Sequence, residues 1–150
     1  FTDNVAFNND VIPHICASRS IISMLLENLQ MKDCIITLNG YLGILSERTL
    51  TILKQRNCKV YNIHPAPIQM YPELKGLDPQ ERLYEGMKTG KYTYIGCVIH
   101  EVTPELDSGK LVHWKTELAY PDWTKDQLYA KLHNMGTEMW LDFFREEMWK

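Results

Sequence analysis

Two short segments of the sequence bring together side chains that could carry out acid–base chemistry. In the first, Asn62 and His64 are separated by one apolar residue. The second is the run Thr103–Gly109, which contains Asp107. Residues two apart on a strand point to the same face, so an amide and an imidazole would lie side by side. Such a pair could stabilise a developing oxyanion by hydrogen bonding. The carboxylate of Asp107 could orient the histidine or accept a proton from an attacking amine.

A structural interpretation stands beside the catalytic one. A histidine at a strand end is more often packed than catalytic, and Asp, Ser and Gly are common turn formers. A third interpretation takes four residues as metal ligands: His64, His100, His113 and Asp107. Their spacing matches no helix or hairpin ligand set. We therefore predict no metal, and spacing alone leaves the catalytic and structural interpretations open.

Hydrophobic patterns predict the strands that hold these segments. Continuous β-prone runs predict central strands at Cys34–Leu38 and Lys59–Ile63. Further strands are predicted at Ile12–Cys16, Ile95–Val102 and Leu111–Leu118. The Asn-x-His segment thus falls at the end of one strand, and Asp107 falls in the loop after another.

Capping residues and helical spacing predict four helices. They are expected to begin at Ser18 or Ser20, at Ser46, at Pro79 and after Thr124. Two of these starts carry a capping box, at Asp78–Glu81 and at Thr124–Gln127. The last helix should bury a stripe made of Leu128, Leu132, Met135, Met139, Phe143 and Phe144. The Pro- and Gly-rich stretch Pro65–Leu77 is predicted to be a loop without helix.

This order of elements predicts an α/β fold, with an open, mostly parallel sheet, helices on both faces and one domain over residues 1–150. Ligands gather at the carboxyl ends of the strands in such sheets, which is where both chemical segments fall. The sequence opens at Phe1 on residues typical of a strand end and loop. We therefore expect the first strand–helix unit of this fold to be missing.

Composition restricts the class of partner. The 150 residues carry a net charge of −3, which disfavours a nucleic-acid partner because no positive excess is available to neutralise phosphates. No apolar stretch approaches the ~20 residues of a membrane span. Four cysteines without a Cys-x-x-Cys pair predict buried thiols in a reducing cytoplasm. Neither of the glycine-rich phosphate-binding patterns, Gly-x-Gly-x-x-Gly or Gly-Lys-Ser/Thr, is present.

Taken in order, the motifs resemble those of the superfamily of glycinamide ribonucleotide and methionyl-tRNA formyltransferases. That pattern is Asn-x-His followed by Leu-Asp-[Gly/Thr/Ser]-Gly, matched here by Asn62–Pro65 and Val102–Gly109. The run Asn39–Ser46 resembles the loop that holds the pterin of the folate donor, and Asp122–Phe144 is similar to the closing helix. The family usually continues Asn-x-His with Ser-Leu-Leu-Pro, whereas Ala66 and the residues after it depart from that run.

The resemblance implies a specific reaction and a donor pocket. The formyl donor would be 10-formyltetrahydrofolate, and an amine would attack the formyl carbon. Asn62 and His64 would stabilise the oxyanion, and Asp107 would help to move a proton through a water. His100 matches a histidine of the purine-pathway branch. The pocket would be lined by Leu42, Gly43, Ile44, Leu45, Leu50, Val102, Thr103, Pro104 and Glu105.

The acceptor is left open by the resemblance. The family's amine acceptors are a ribonucleotide, an aminoacyl-tRNA or an amino sugar, and we expect a small-molecule amine. A hydrolase acting on the same donor with water, and a folate- or nucleotide-binding module whose catalysis has decayed, are the alternatives. A homo-oligomer is compatible with the sequence.

Overall fold

The computed structural model describes residues 19–39, 41 and 43–148, and these residues form a four-stranded mixed sheet with helices. The helices are α1 (Arg19–Asn28), α2 (Glu47–Gln55), α3 (Pro79–Lys88) and α4 (Lys125–Met148). The strands are β1 (Ile35–Leu38), β2 (Lys59–His64), β3 (Tyr94–Glu101) and β4 (Leu111–Leu118). The predicted strand Ile12–Cys16 and a cap at Ser18 lie outside the described residues. Ser20 lies inside α1, so it is not the residue that caps it.

The strands follow the order β1-β2-β3-β4. β1 and β2 are parallel, whereas β3 and β4 are antiparallel. The open α/β fold predicted from the sequence is therefore confirmed, as a mixed sheet. Two compact units build it: the first comprises Phe1–Asn62 and Glu101–Lys110, and the second comprises Ile63–His100 and Leu111–Lys150.

An apolar core holds the first unit together. Its buried members are Ile22, Leu26, Ile36, Leu38, Tyr41, Leu45, Leu53, Cys58 and Val60. The Oγ atom of Ser46 accepts a hydrogen bond from Thr49 N at 3.1 Å, which confirms the predicted cap of α2. Arg56 donates to the carbonyl oxygens of Leu29 at 2.6 Å and Glu27 at 2.8 Å. Because carbonyls at a helix end lack intrahelical partners, this arginine caps the end of α1.

Three described cysteines match the prediction of buried thiols to different degrees. Cys58 and Cys97 are buried and Cys34 is half-buried, while Cys16 lies outside the described residues. Cys34 Sγ donates to Cys58 Sγ at 3.2 Å. Burial, followed by the hydrogen bond with Cys58, raises the pKa of Cys34 to about 11. Burial alone raises the pKa of Cys97 to about 12.

The capping box at the start of α4 is confirmed by two reciprocal hydrogen bonds. Gln127 N donates to Thr124 Oγ1 at 3.2 Å, and Thr124 N donates to Gln127 Oε1 at 2.8 Å. The predicted stripe of α4 is buried except at Phe144, which is 38% exposed and stacks on Trp140. No described helix, α4 included, is both long and apolar enough to cross a membrane.

The capping box predicted for α3 is wrong, although Pro79 does stand in its first turn. Asp78 has left-handed backbone angles and makes no side-chain cap bond, whereas an N-cap side chain requires extended backbone. Glu81 is engaged elsewhere, because its carboxylate pairs with Lys125 and accepts from Tyr129 Oη at 3.1 Å. Contacts with α4 therefore use the side chain that the box would have needed.

The stretch Pro65–Leu77 is a loop, as predicted, but it contains one short helical turn. Residues Pro72–Leu74 form a 3₁₀ helix with proline at its start. Proline suits this position because the first turn leaves its N–H groups without helical partners. The Leu74 carbonyl at the end of this turn contacts the ring of His64.

Candidate active site

The carboxyl end of β2 carries the first two predicted site residues. Asn62 and His64 stand two positions apart on this strand, as the sequence indicated. His64 is buried and Asn62 is half-buried. The Oδ1 atom of Asn62 is buried and finds no hydrogen-bond partner among the described residues. A buried acceptor left in this way costs about 1–3 kcal/mol, unless a ligand supplies the donor.

The ring of His64 is held by a backbone carbonyl. His64 Nε2 lies 2.9 Å from the carbonyl oxygen of Leu74. A carbonyl can only accept, so this contact requires a proton on Nε2, and Nδ1 is the second ring nitrogen. Both residues are buried, with His64 at 4% and Leu74 at 0% exposure. The carbonyl at the end of the 3₁₀ turn thus favours the Nε2-protonated tautomer of His64.

Asp107 stands in a closed loop of the first unit. Glu101 N donates to the Lys110 carbonyl at 2.9 Å, which joins the two ends of the loop. Asp107 is buried at 6% exposure and has a φ of 49°, a left-handed conformation that Asp tolerates better than most residues. A Cβ atom on Gly109 would lie 1.7 Å from the Glu101 carbonyl oxygen, so only glycine fits there.

A backbone contact anchors this loop beside β2. Val102 N donates to the carbonyl oxygen of Val60 at 2.9 Å, two positions before Asn62. Asn62 and Asp107 belong to the same unit, and this hydrogen bond ties the loop of Asp107 to the strand of Asn62. His64 belongs to the second unit, and the joint action of all three on one substrate stays a prediction.

The residues predicted to hold the donor differ in exposure. Ile44, Pro104 and Glu105 are exposed, and Gly43, Leu50, Val102 and Thr103 are half-buried. Leu45 is 1% exposed, which makes its side chain part of the core and leaves only its backbone for a ligand. Leu42 lies outside the described residues. Leu50 and Val102 pack against the core cluster of the first unit.

Tyr41 was not among the predicted pocket residues. It is buried, and a Cβ atom on Gly43 would lie 2.5 Å from its Oη atom. Gly43 and the Tyr41 ring are therefore in close contact. The only signal in the sequence was the position of Tyr41 within the loop Asn39–Ser46, since the contact depends on how that loop turns.

A separate surface cavity of about 390 Å³ in the first unit is lined by Met31, Lys32, Cys34, Ile35, Ile36 and Thr37. None of the predicted site residues lines it, so it is not the predicted donor pocket. His100 is buried on β3 next to an irregularity of the β3–β4 pairing, and His113 is half-buried on β4. Within the described part of the chain, no three His, Cys, Asp or Glu side chains form a group able to hold a metal ion.

Comparisons with known proteins identify the family. The formyl transferase profile matches residues 15–143. A methionyl-tRNA formyltransferase of Thermotoga maritima is 30% identical over 112 residues, which are 75% of this chain and 33% of that protein. The human trifunctional purine biosynthetic protein adenosine-3 is 31% identical over 93 residues, 62% of this chain and 8% of that protein.

The structural comparison agrees on the fold. A phosphoribosylglycinamide formyltransferase from Streptococcus pneumoniae superposes with a TM-score of 0.68 at 23% identity, covering 86% of this chain and 65% of that one. The chain spans about a third of the length of the Thermotoga enzyme that it matches. On the match over residues 15–143, the chain belongs to the formyl transferase family.

Proposed function

We propose that this chain transfers a formyl group from 10-formyltetrahydrofolate to a primary amine. The observation that carries the proposal is the end of β2, where Asn62 and a buried His64 stand two residues apart in a member of the formyl transferase family. The fixed Nε2–H of His64 supports it, because a single defined tautomer is what an acid–base residue needs.

The proposed chemistry is an acyl transfer through a tetrahedral intermediate. The amine nitrogen attacks the formyl carbon, and the carbonyl oxygen becomes an oxyanion. Asn62 donates to that oxyanion from its amide nitrogen, and protonated His64 donates to it from Nδ1 while Nε2 keeps its contact with the Leu74 carbonyl. Asp107 accepts the proton of the amine through a water and passes it to N10, while the oxyanion re-forms the carbonyl and the bond from the formyl carbon to N10 breaks. The products are a formamide and tetrahydrofolate.

The residues of the first unit are compatible with a folate donor. The backbone of Gly43–Leu45 and of Val102–Glu105 would hold the pteridine, whose edge alternates donors and acceptors that main-chain groups can match. The unpartnered Oδ1 of Asn62 would accept an N–H of the incoming amine. When bound, the donor supplies the electrophilic formyl carbon.

The class of the amine acceptor is proposed from the relatives and from the net charge. The relatives are named for methionyl-tRNA and for phosphoribosylglycinamide, both of which present a primary amine. The net charge of −3 favours a small molecule over a nucleic acid. We therefore propose a small-molecule amine, with an amino sugar and an aminoacyl or ribonucleotide amine as the classes to be tested.

The test is a formyl-transfer assay on the full chain with a panel of amines. The panel comprises an amino-sugar nucleotide, glycinamide ribonucleotide, methionyl-tRNA and a reaction without amine. We expect one amine to accelerate the release of tetrahydrofolate, and His64→Ala to reduce the turnover about 10²–10³-fold. His133→Ala is the matched control, because His133 is exposed on α4. Equal release without amine would instead show a hydrolase, and no release with any amine would contradict the proposal.

A further inference from the structure

One arginine gathers the carbonyl groups at the end of the 3₁₀ turn. Arg82, on α3, donates from Nη1 to the Glu73 carbonyl oxygen at 2.6 Å. Its Nη2 donates to the carbonyl oxygens of Leu74 at 3.1 Å and Lys75 at 2.7 Å. Three consecutive carbonyls therefore converge on one guanidinium. A planar cation with several fixed donors holds such a set more rigidly than a neutral side chain would.

The middle carbonyl of this set is the one that holds His64. The Leu74 oxygen accepts from Arg82 Nη2 and lies 2.9 Å from His64 Nε2. A carbonyl oxygen has two lone pairs, so it can accept hydrogen bonds from both donors at once. The direction of this carbonyl favours a proton on Nε2 of His64 over one on Nδ1. Any group that fixes the direction of this carbonyl therefore also fixes the hydrogen bond of the His64 ring.

We propose that Arg82 is a positioning residue for His64. Its guanidinium fixes the Leu74 carbonyl, which keeps the proton of the neutral ring on Nε2 and leaves Nδ1 as the nitrogen that exchanges a proton in catalysis. Without Arg82, the carbonyls at the end of the turn lose their charged donor, and the Leu74 oxygen is free to rotate away from the ring. This inference rests on the proposed function for its catalytic consequence, but the tautomer of His64 can be measured without any activity.

The test combines the histidine tautomer with kinetics in the full chain. Long-range nitrogen–proton correlation spectra of ¹⁵N-histidine protein report which ring nitrogen carries the proton, and His64→Gln assigns the His64 signals. The parent should show His64 with its proton on Nε2. Arg82→Met should populate the Nδ1-protonated form and lower kcat by about 10–100-fold, while KM for the folate donor stays within about twofold.

Two further variants separate positioning from folding. Lys88→Met is the matched control, because Lys88 is a cation on the same helix whose Nζ donates to the Pro121 carbonyl at 2.5 Å. It should leave the tautomer and kcat unchanged. Arg82→Lys retains the charge and can reach one carbonyl, so it should recover part of the Nε2-protonated form and part of the rate. If Arg82→Met fails to fold, the tautomer in Arg82→Lys decides the question.

The outcomes are distinct. An Arg82→Met protein that keeps the parent tautomer and rate would overturn the proposal, as would a parent protein with its His64 proton on Nδ1. If the parent transfers no formyl group, the proposed function fails, but the tautomer comparison still shows whether Arg82 holds His64. A kcat loss in Arg82→Met with an unchanged tautomer would also contradict the assigned route through His64.

Discussion

At the residue scale, Asp107 combines a buried carboxylate with a left-handed backbone, and the two properties call for different substitutions. Asn tolerates the φ of 49°, whereas Ala is strained there by about 1–2 kcal/mol. We expect Asp107→Asn to fold with nearly the parent stability and to lose about 10²–10⁴-fold in kcat, because it cannot accept the proton. Asp107→Ala should lose stability in addition. Urea unfolding and steady-state kinetics on the same preparations measure both quantities.

The comparison of the two variants identifies the role of the carboxylate. If Asp107→Asn retains the rate of the parent, proton transfer through this residue is ruled out. If both variants lose stability equally, the backbone conformation is not the cause of the loss in Asp107→Ala.

Gly43 offers a second test at the residue scale. Any side chain there displaces the Tyr41 ring, since an added Cβ atom would lie 2.5 Å from its Oη atom. Gly43→Ala should raise the Kd of a stable 10-formyl folate analogue about tenfold, equivalent to ~1.4 kcal/mol, as measured by calorimetric titration. Shortening the obstructing side chain, in Gly43→Ala with Tyr41→Leu, should recover part of the affinity if displacement is the cause. Unchanged affinity in Gly43→Ala would place the donor elsewhere.

At the element scale, the two predicted capping boxes lead to opposite expectations. Thr124→Ala removes a formed cap of α4 and should lower the free energy of unfolding by about 1 kcal/mol. Asp78→Gly removes no cap bond and relieves a left-handed φ of 50°, so its stability should equal or exceed that of the parent. Urea titrations of the two single variants decide this. A loss of similar size in Asp78→Gly would mean that Asp78 does cap α3.

Cys34 and Cys58, which directly precede β1 and β2, give a pH-dependent prediction. The thiolate is the reactive form, and the pKa of Cys34 is raised to about 11, from 9.0 for an ordinary thiol, by burial and by the hydrogen bond with Cys58. Alkylation of Cys34 by iodoacetamide should therefore keep rising up to about pH 11. The stability that the neutral thiol contributes should be complete below pH 9.0 and be lost as the pH rises through about 11.

Mass mapping of the alkylated peptides checks this profile. The same chain unfolded in urea serves as the reference, because its thiols should titrate near their ordinary value. A Cys34 profile in the folded chain that levels off at the pH of the unfolded reference would contradict the raised pKa.

The helix starts show which parts of the fold are determined by the local sequence. α2 and α4 begin where Ser46 and Thr124 predict, because their caps use only neighbouring residues. The box at Asp78–Glu81 fails because Glu81 pairs with side chains of α4, which local spacing does not reveal. The 3₁₀ turn Pro72–Leu74 escaped prediction because a single turn in a proline-rich loop has no periodic signal.

At the scale of the whole molecule, the order of the motifs predicted the family, whereas the composition did not. The net charge and the apolar patterns fit many α/β proteins, whereas the two spaced motifs led to the formyl transferase family that the comparison confirms. The sequence could not indicate the roles of Tyr41 and Arg82. Their contacts depend on how a loop is folded: the Tyr41 ring packs against Gly43, and Arg82 donates to consecutive carbonyl oxygens of a loop.

In the proposed reaction, the formyl carbon of a folate donor ends on an amine nitrogen, and His64 is required. The most direct test of this reaction follows a ¹³C-labelled formyl group by NMR, with the full chain, 10-formyltetrahydrofolate and the amine selected from the panel. The label should move into an N-formyl product with the parent chain and with His133→Ala, and remain on the folate with His64→Ala. Label that appears only as formate, or that transfers equally fast in His64→Ala, would contradict the proposed reaction.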